Sequence, residues 1–218
     1  MTTITRRPSS QRRMVFDAIS WHEYELIGRA FRDRPIKITY DRGRMEIMTL
    51  SSKHESFKHL LGQLIVLLAL ELEISFRGFG SMTFKRRIRK RGLEPDECYW
   101  IQNESAVRDT DQVDLASMPP PDLVLEVEIS RSALPRMNLY ADLGVPEVWR
   151  FDGEQLRACH LEDGHYVERD RSRAFPFFNP AALIAFLLRR HEGEAKVLRD
   201  FQNWVREQIS ASWQNGGV

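Results

Sequence analysis

Carboxylates alternate with apolar residues in the segment PPPDLVLEVEIS, residues 119–130. Asp122, Glu126 and Glu128 fall at even positions, whereas the odd positions from 123 to 129 are all leucine, valine or isoleucine. Because side chains alternate between the two faces of a strand, this pattern predicts a strand with one apolar face and one acidic face. Carboxylates that lie this close repel one another unless a cation lies between them. The segment therefore raises the hypothesis of a metal site.

A further acid, Asp96, lies in EPDECYW, directly after a proline and at the start of a predicted short strand. If that strand pairs with residues 122–129, Asp96 and Glu126 could share one Mg²⁺ or Mn²⁺ ion, since such ions prefer oxygen ligands. The ion would activate water and stabilise charge on a phosphodiester. Burial of Glu126 without a cation or a basic partner would be costly. This chemistry is hydrolysis of a nucleic-acid backbone.

Hydrophobic periodicity and turn residues predict the elements that position these acids. In chain order they are a helix over 17–32 with a capping box of Ser20 and Glu23, a hairpin over 36–48, a helix over 53–73, two short strands broken by glycines, a strand at CYWIQ, the acidic strand, a short helix ended by Gly144, and strands at VPEVWRF and QLRACHL. The strand–helix–strand unit after residue 121 predicts a right-handed crossover. The predicted fold class is therefore α/β with a mixed sheet whose middle carries the acids.

Composition limits the function classes. Lys and Arg number 32 against 31 Asp and Glu in 218 residues, so no global field attracts nucleic acid and an anion site must be local. Two cysteines give neither a disulfide framework nor a metal knuckle. The start has no apolar region of a secretory signal, and the longest apolar run is too short to span a membrane. We expect a cytoplasmic protein with no membrane partner.

Three motifs in this order, EPDE, PPPDLVLEVEIS and RMNLYADLGVPEVWRF, resemble the Uma-two family of restriction-endonuclease-like proteins, in the PD-(D/E)XK nuclease superfamily. The resemblance covers roughly residues 22–168 and is most specific over 119–151. It implies a restriction-endonuclease-like αβββαβ core, Mg²⁺-dependent endonuclease activity on nucleic acid (DNA in the first place) and a homodimer. It also implies that Asp96 and Glu126 are metal ligands, with Asp122 as a further acid.

The sequence departs from the superfamily motif at its lysine. Two residues after the second acid stands Glu128, and the place in the next helix where relatives carry lysine, four residues before Tyr140, is Arg136. Arginine can hold a phosphate but cannot serve as a base. An active enzyme would need a metal-bound hydroxide or another lysine. The alternative is an inactive nuclease fold, in which Glu126, Glu128 and Arg136 form a closed ion-pair network and the protein binds nucleic acid or a protein partner.

Two further features of the sequence, a helix start at residues 54–55 and a basic run, each have two interpretations. Glu55, with His54, matches a place where relatives keep polar residues near the site, but the spacing of Ser52 and Glu55 also predicts a helix capping box. A basic run could contact phosphates or form a solvated edge; its candidate residues are Lys85, Arg86, Arg87, Arg89 and Lys90.

Three segments are predicted. Residues 1–16 would be a flexible N-terminal tail, 17–178 the nuclease-like domain with its N-terminal helix and hairpin, and 179–218 a C-terminal helical extension. Phe201 and Trp204 in that extension could supply a homodimer interface.

Overall fold

The computed structural model describes residues 12–32, 34–86, 90–130, 132–176 and 178–214. Its helices are α1 Trp21–Ala30, α2 Ser52–Glu71, α3 Arg136–Leu143, α4 Ile184–Leu187 and α5 Glu194–Gln214. Its strands are β1 Arg13–Phe16, β2 Ile36–Asp41, β3 Arg44–Thr49, β4 Arg77–Gly78, β5 Phe84–Arg86, β6 Arg91–Leu93, β7 Glu97–Trp100, β8 Leu123–Val127, β9 Glu147–Phe151, β10 Leu156–Glu162 and β11 His165–Arg169.

Within these residues the strands form two sheets, of order β1-β3-β2-β6-β5 and β11-β10-β9-β8-β7-β4. Strand β8 lies in the second sheet between β7, which is antiparallel to it, and β9, which is parallel. The expected α/β fold with a mixed sheet and the acidic strand at its middle is therefore confirmed. The predicted hairpin, β2 and β3, belongs to the other sheet, which it shares with β1, β5 and β6.

The alternation in β8 divides its residues between two hydrophobic cores. Leu123, Leu125 and Val127 pack with α2 and α5, while Val124 packs with Trp100 and residues of α3 on the other side. All five residues of β8 are buried. The face that carries Glu126 is thus covered by protein, so this carboxylate must find partners inside the molecule.

The hairpin β2–β3 also has two faces. Ile38, Tyr40, Met45 and Ile47 pack with Tyr24 of α1 and form a third core. The opposite face carries polar residues that are nevertheless buried, namely Lys37, Thr39 and Glu46. Because both faces are covered, the polar face must contact another layer, and that layer is the acidic strand with its neighbours.

Helix α5 closes the core over α2. Phe201 is fully buried against Phe186 and Trp204, and Trp204 also contacts Phe178. The expectation that Phe201 is an exposed interface residue is wrong, because the apolar stripe of this helix faces its own domain. None of the helices in the described ranges combines the length and hydropathy needed to cross a bilayer.

Several boundaries differ from the sequence-based prediction. Residues 13–16, which the sequence analysis assigned to the tail, pair with β3. Helix α1 begins only after Ser20, whose capping box with Glu23 is confirmed. The cap of α2 is Ser51, whose hydroxyl accepts from the His54 amide, so the predicted box of Ser52 and Glu55 is wrong by one residue. Gly144 has the predicted left-handed conformation at φ +78°.

Candidate functional site

Asp96 lies at the entrance of β7 with its side chain 1% exposed. The Nζ atom of Lys37, on the polar face of the hairpin, donates to Oδ1, and the amide of Val127 donates to Oδ2 at 2.7 Å. Nε2 of His54, in the first turn of α2, lies 3.1 Å from Oδ1. Burial alone would raise the pKa of Asp96, but Lys37 and His54 hold it well below its usual range. The carboxylate is therefore an anion with two basic neighbours.

His54 links Asp96 to Glu55. Its Nδ1 lies 3.1 Å from Oε1 of Glu55, and its ring is fully buried. Burial lowers the pKa of a histidine, yet the carboxylates of Asp96 and Glu55 raise it here to about 9. Glu55 thus reaches the site through His54 and is the outer member of the chain Asp96–His54–Glu55.

Glu126 lies opposite Asp96, because Glu97 pairs with Leu125 in the antiparallel register of β7 and β8. Its Oε1 accepts from Arg136 at 2.5 Å and from the hydroxyl of Tyr140. Burial and the Glu126 carboxylate raise the pKa of Tyr140 well above its ordinary value, so this hydroxyl is a donor at neutral pH. Asp96 and Glu126 are therefore brought together as predicted, each held by basic or hydroxyl groups.

Arg136, the first residue of α3, is held on several sides. Besides Glu126 it donates to the hydroxyl of Thr39 at 2.5 Å and to the carbonyl of Glu94 at 2.7 Å. Burial lowers its pKa, but the Glu126 carboxylate raises it above the ordinary value, so it remains a cation. These contacts make it a residue that positions Glu126.

The loop before α3 is fastened by Glu46 on the polar face of the hairpin. Its carboxylate accepts from Arg13 at 2.6 Å, from the Ser132 hydroxyl at 2.9 Å and from the Ala133 amide at 2.7 Å. Arg13 also donates to the Ser130 hydroxyl at 3.0 Å. Strand β1 and the hairpin therefore fix the loop that delivers Arg136.

Asp122 lies at the opposite end of β8 from Glu126. Oδ2 accepts from the amides of Ile101 and Asn103 at 2.7 and 2.9 Å, and Oδ1 accepts from the Asn103 side chain at 2.6 Å. About 13 Å of strand separates residues 122 and 126 along the chain. The structure thus places Asp122 at a turn after β7 and not beside Asp96.

The remaining predicted residues lie near the site, on the surface, or outside the residues that the structure describes. Glu128 accepts from Arg150 at 2.6 Å and from the Ser132 amide at 2.8 Å, so of the network in the alternative hypothesis only the pair of Arg136 with Glu126 forms. Lys85 and Lys90 are exposed. Arg86 ends β5 but its side chain is not described, and Arg87 and Arg89 lie outside the described residues.

The chain is similar to one known protein family and to at least one solved structure. The model of the family Uma2, described as putative restriction endonuclease, matches residues 21–185. The chain belongs to the Uma2 family. This is the Uma-two family that the motifs resemble, and the match spans both carboxylates and both of their basic partners.

A solved structure similar to this Uma2 chain is that of a putative nuclease belonging to DUF820 from Anabaena variabilis. It is 13% identical, with a TM-score of 0.52, over 86% of this chain and 99% of that one. At this identity the likeness establishes a common fold. A comparison with curated proteins gives no match.

The Uma2 family implies a divalent metal ion, for which carboxylate oxygens would be the ligands. Among the described residues there is no group of three or more His, Cys, Asp or Glu side chains arranged to hold a metal. Mg²⁺, however, is commonly held by only one or two carboxylates with water and substrate oxygens completing its shell. Asp96 and Glu126 supply two, and no described residue donates to Oε2 of Glu126, which lies in a cleft of about 330 Å³. In the number and type of donors the pair matches such an ion, although both oxygens of Asp96 already accept hydrogen bonds, from Lys37 and from the Val127 amide.

Sequence reasoning missed three members of the site: Lys37, Tyr140 as a donor, and Glu46. Lys37 lies between Ile36 and Ile38, a spacing that is typical of the solvated face of a hairpin. Glu46 lies between Met45 and Ile47 in the same way, and Tyr140 lies between Leu139 and Ala141, a setting typical of a core residue. The available signal was the pairing of the two hairpin strands, which brings Thr39 opposite Glu46 and makes the polar face one continuous surface.

Proposed function

We propose that this protein is a Mg²⁺- or Mn²⁺-dependent endonuclease that hydrolyses phosphodiester bonds in nucleic acid. The observation that carries the proposal is the buried contact between Lys37 and Asp96 beside Glu126. It supplies two carboxylates and one lysine, the residue types of the PD-(D/E)XK motif, although the lysine comes from the hairpin. Lys37 is thus the other lysine that the departures at Glu128 and Arg136 require.

Each residue of the chain has a separate task in this proposal. Asp96 and Glu126 would hold the ion, which supplies Lewis-acid polarisation of the phosphoryl group and a water nucleophile. Lys37, whose ammonium has three donors, keeps the charge of Asp96 compensated and offers a proton donor to a phosphate oxygen. Arg136 and Tyr140 hold the Glu126 carboxylate in one orientation, which is what preorganisation of a charged site requires.

DNA as the preferred substrate, and a homodimeric assembly, remain predictions from the family resemblance.

A second candidate function is binding of nucleic acid or a protein without cleavage. It is favoured by the ion pair of Arg136 with Glu126, because a guanidinium that cannot leave would keep an ion out. The two candidates differ in one measurable property, the appearance of new chain ends.

Cleavage of circular DNA tests the proposal. Supercoiled plasmid and circular single-stranded DNA would be incubated with Mg²⁺ or Mn²⁺, because a circle is opened only by internal cleavage. We expect metal-dependent opening by the natural protein, and a loss of at least about 100-fold in Glu126→Gln and in Lys37→Met, on the scale of lost electrostatic or proton-transfer groups.

Lys196→Met is the matched control, since this lysine is half exposed on α5 and pairs with Glu192, outside the candidate site. It should retain full activity. Equal cleavage by the natural protein and Glu126→Gln would indicate a contaminating nuclease and reject the proposal. Binding of the circular DNA without any opening of the circle, with either metal, would favour the second candidate.

A further inference from the structure

A cleft of about 370 Å³ between α1, β2, α2 and β5 is strongly basic. We call it the basic cleft, and its charged lining residues are Arg29, Arg32, Arg34, Lys37, Lys58, Lys85 and Glu94. Six cations therefore face one carboxylate, in a chain whose net charge is +1. Such a local concentration is what attracts a polyanion when the whole molecule is nearly neutral.

Three of the six cations of the basic cleft are available to a ligand. Arg29, Arg32 and Arg34 are exposed, and none of them forms an ion pair with a described carboxylate. The one lining carboxylate, Glu94, accepts from the Thr83 hydroxyl at 2.9 Å. Uncompensated arginines of this kind bind phosphate oxygens well, because the guanidinium presents donors in a planar fork.

An exposed aromatic ring stands among these arginines. Phe31 lines the basic cleft and is 42% exposed. Among the described residues, no aromatic ring packs against it, whereas Tyr24 and Tyr40 stack on each other. A positively charged groove with an exposed aromatic side chain is the arrangement by which proteins bind single strands, with bases on rings and phosphates on cations.

The floor of the basic cleft leads to the candidate site. Lys37 lines the cleft and donates to Asp96, which is 1% exposed. A duplex carries its phosphates on a broad convex surface, so it cannot bring one of them to a carboxylate at this depth through a cleft of this size. A single strand can do so, because it is narrow and its bases are free to turn onto a ring.

We propose that the basic cleft binds a single-stranded segment of nucleic acid, with a base stacked on Phe31 and phosphates on Arg29, Arg32 and Arg34, and leads the strand towards Lys37. This inference rests on the proposed nuclease function and specifies the form of its substrate. The enzyme would therefore act on single strands, or on unpaired regions within duplexes, in preference to intact double helices.

Fluorescence anisotropy with a labelled oligothymidylate, and with a duplex of the same length, tests the inference in EDTA. We expect the single strand to bind more tightly than the duplex. The logarithm of affinity should fall with the logarithm of salt concentration by about 0.7 per phosphate contact on a single strand. In Arg32→Gln/Arg34→Gln the slope should therefore decrease by about 1.4.

Two matched variants make the result specific. Arg173→Gln/Arg199→Gln removes the same charge from exposed positions outside the basic cleft and should leave the slope unchanged. Phe31→Ala should weaken single-strand binding by between about 5-fold and 150-fold, the range for loss of one stacking contact, whereas Phe31→Trp should retain it. Circular dichroism confirms that each variant is folded.

The inference is overturned if the duplex binds as tightly as the single strand, or if both cleft variants bind like the natural protein. Because binding is measured without metal, its outcome is independent of catalysis. A protein that binds single strands through the basic cleft but opens no circle would overturn the proposed function alone. Circle opening that is unchanged in both cleft variants would overturn this inference alone.

Discussion

Replacement of Lys37 by methionine should leave the buried carboxylate of Asp96 without its lysine partner. Methionine is close to lysine in length and apolar, so the packing of the stem is largely kept while the ammonium is lost. The carboxylate of Asp96, 1% exposed, would retain only the Val127 amide and His54 as compensating neighbours. Removal of one partner from a buried ion pair costs about 3–5 kcal/mol.

The lower end of that range applies here, because the positively charged form of His54 continues to compensate Asp96. We expect the free energy of unfolding to fall by about 3 kcal/mol at pH 7. Against a typical total of about 5–15 kcal/mol, the variant remains folded and can be measured. Lys196→Met, at an exposed pair, should change the same quantity by less than about 1 kcal/mol.

Urea denaturation followed by tryptophan fluorescence, in EDTA, measures this difference, since Trp100 and Trp149 are fully buried. The deficit should shrink as the pH falls below the ordinary pKa of an aspartate, about 3.9. Lys37 helps to hold the pKa of Asp96 well below its usual range, so the natural protein has this contribution in full above the unfolded value and loses it as the pH falls from there through the low folded value. In the variant the pKa of Asp96 is higher, and protonation removes the stranded charge earlier.

The double variant Lys37→Met/Asp96→Asn should recover part of the loss, because no charge is left without its partner. A deficit for Lys37→Met no larger than that of Lys196→Met would refute the reasoning. So would a deficit that stays constant from pH 7 to pH 2, since loss of packing alone does not depend on protonation.

Two other predictions concern pH and close packing. The pKa of His54 is raised to about 9 from an ordinary value near 6.5, so its contribution of about 3 kcal/mol is complete below pH 6.5 and is lost as the pH rises through 9. Denaturation in EDTA at pH 6.5 and at pH 9.5 should show this loss in the natural protein and not in His54→Gln; equal losses in both would contradict the assignment. In Gly92→Ala the added Cβ would lie 2.1 Å from the Tyr24 hydroxyl oxygen, so the buried ring must move. We expect a destabilisation of about 1–3 kcal/mol in thermal unfolding, and an unchanged midpoint would show that the ring yields freely.

Much of the frame of the site follows from short-range patterns. The alternation in residues 122–129 predicts a strand with a buried acid, and the strand entrance at Asp96 predicts its neighbour, because antiparallel pairing of the two segments places these positions opposite each other. The position of Gly144 predicts the end of α3. These features depend on periodicity and on turn conformation, which adjacent residues determine.

The partners of the acids do not follow from such patterns. Lys37 is separated from Asp96 by 59 residues, and its strand has the alternation of any half-solvated hairpin. Nothing within that hairpin indicates that its polar face is covered by another sheet. Asp122 shows the opposite failure: alternation assigns it to the face of Glu126, but the nearby amides of Ile101 and Asn103 bind it at the strand entrance.

The same long sequence separations have a consequence for synthesis. Arg136 joins Thr39 across 97 residues and joins the hairpin to Glu126. At about 5–20 residues per second on the ribosome, roughly 5–20 seconds pass between the emergence of the hairpin and that of α3. Until α3 emerges, the growing chain has the hairpin but no arginine to orient Glu126. If the proposed function holds, nascent fragments that end before α3 lack a residue that the site requires.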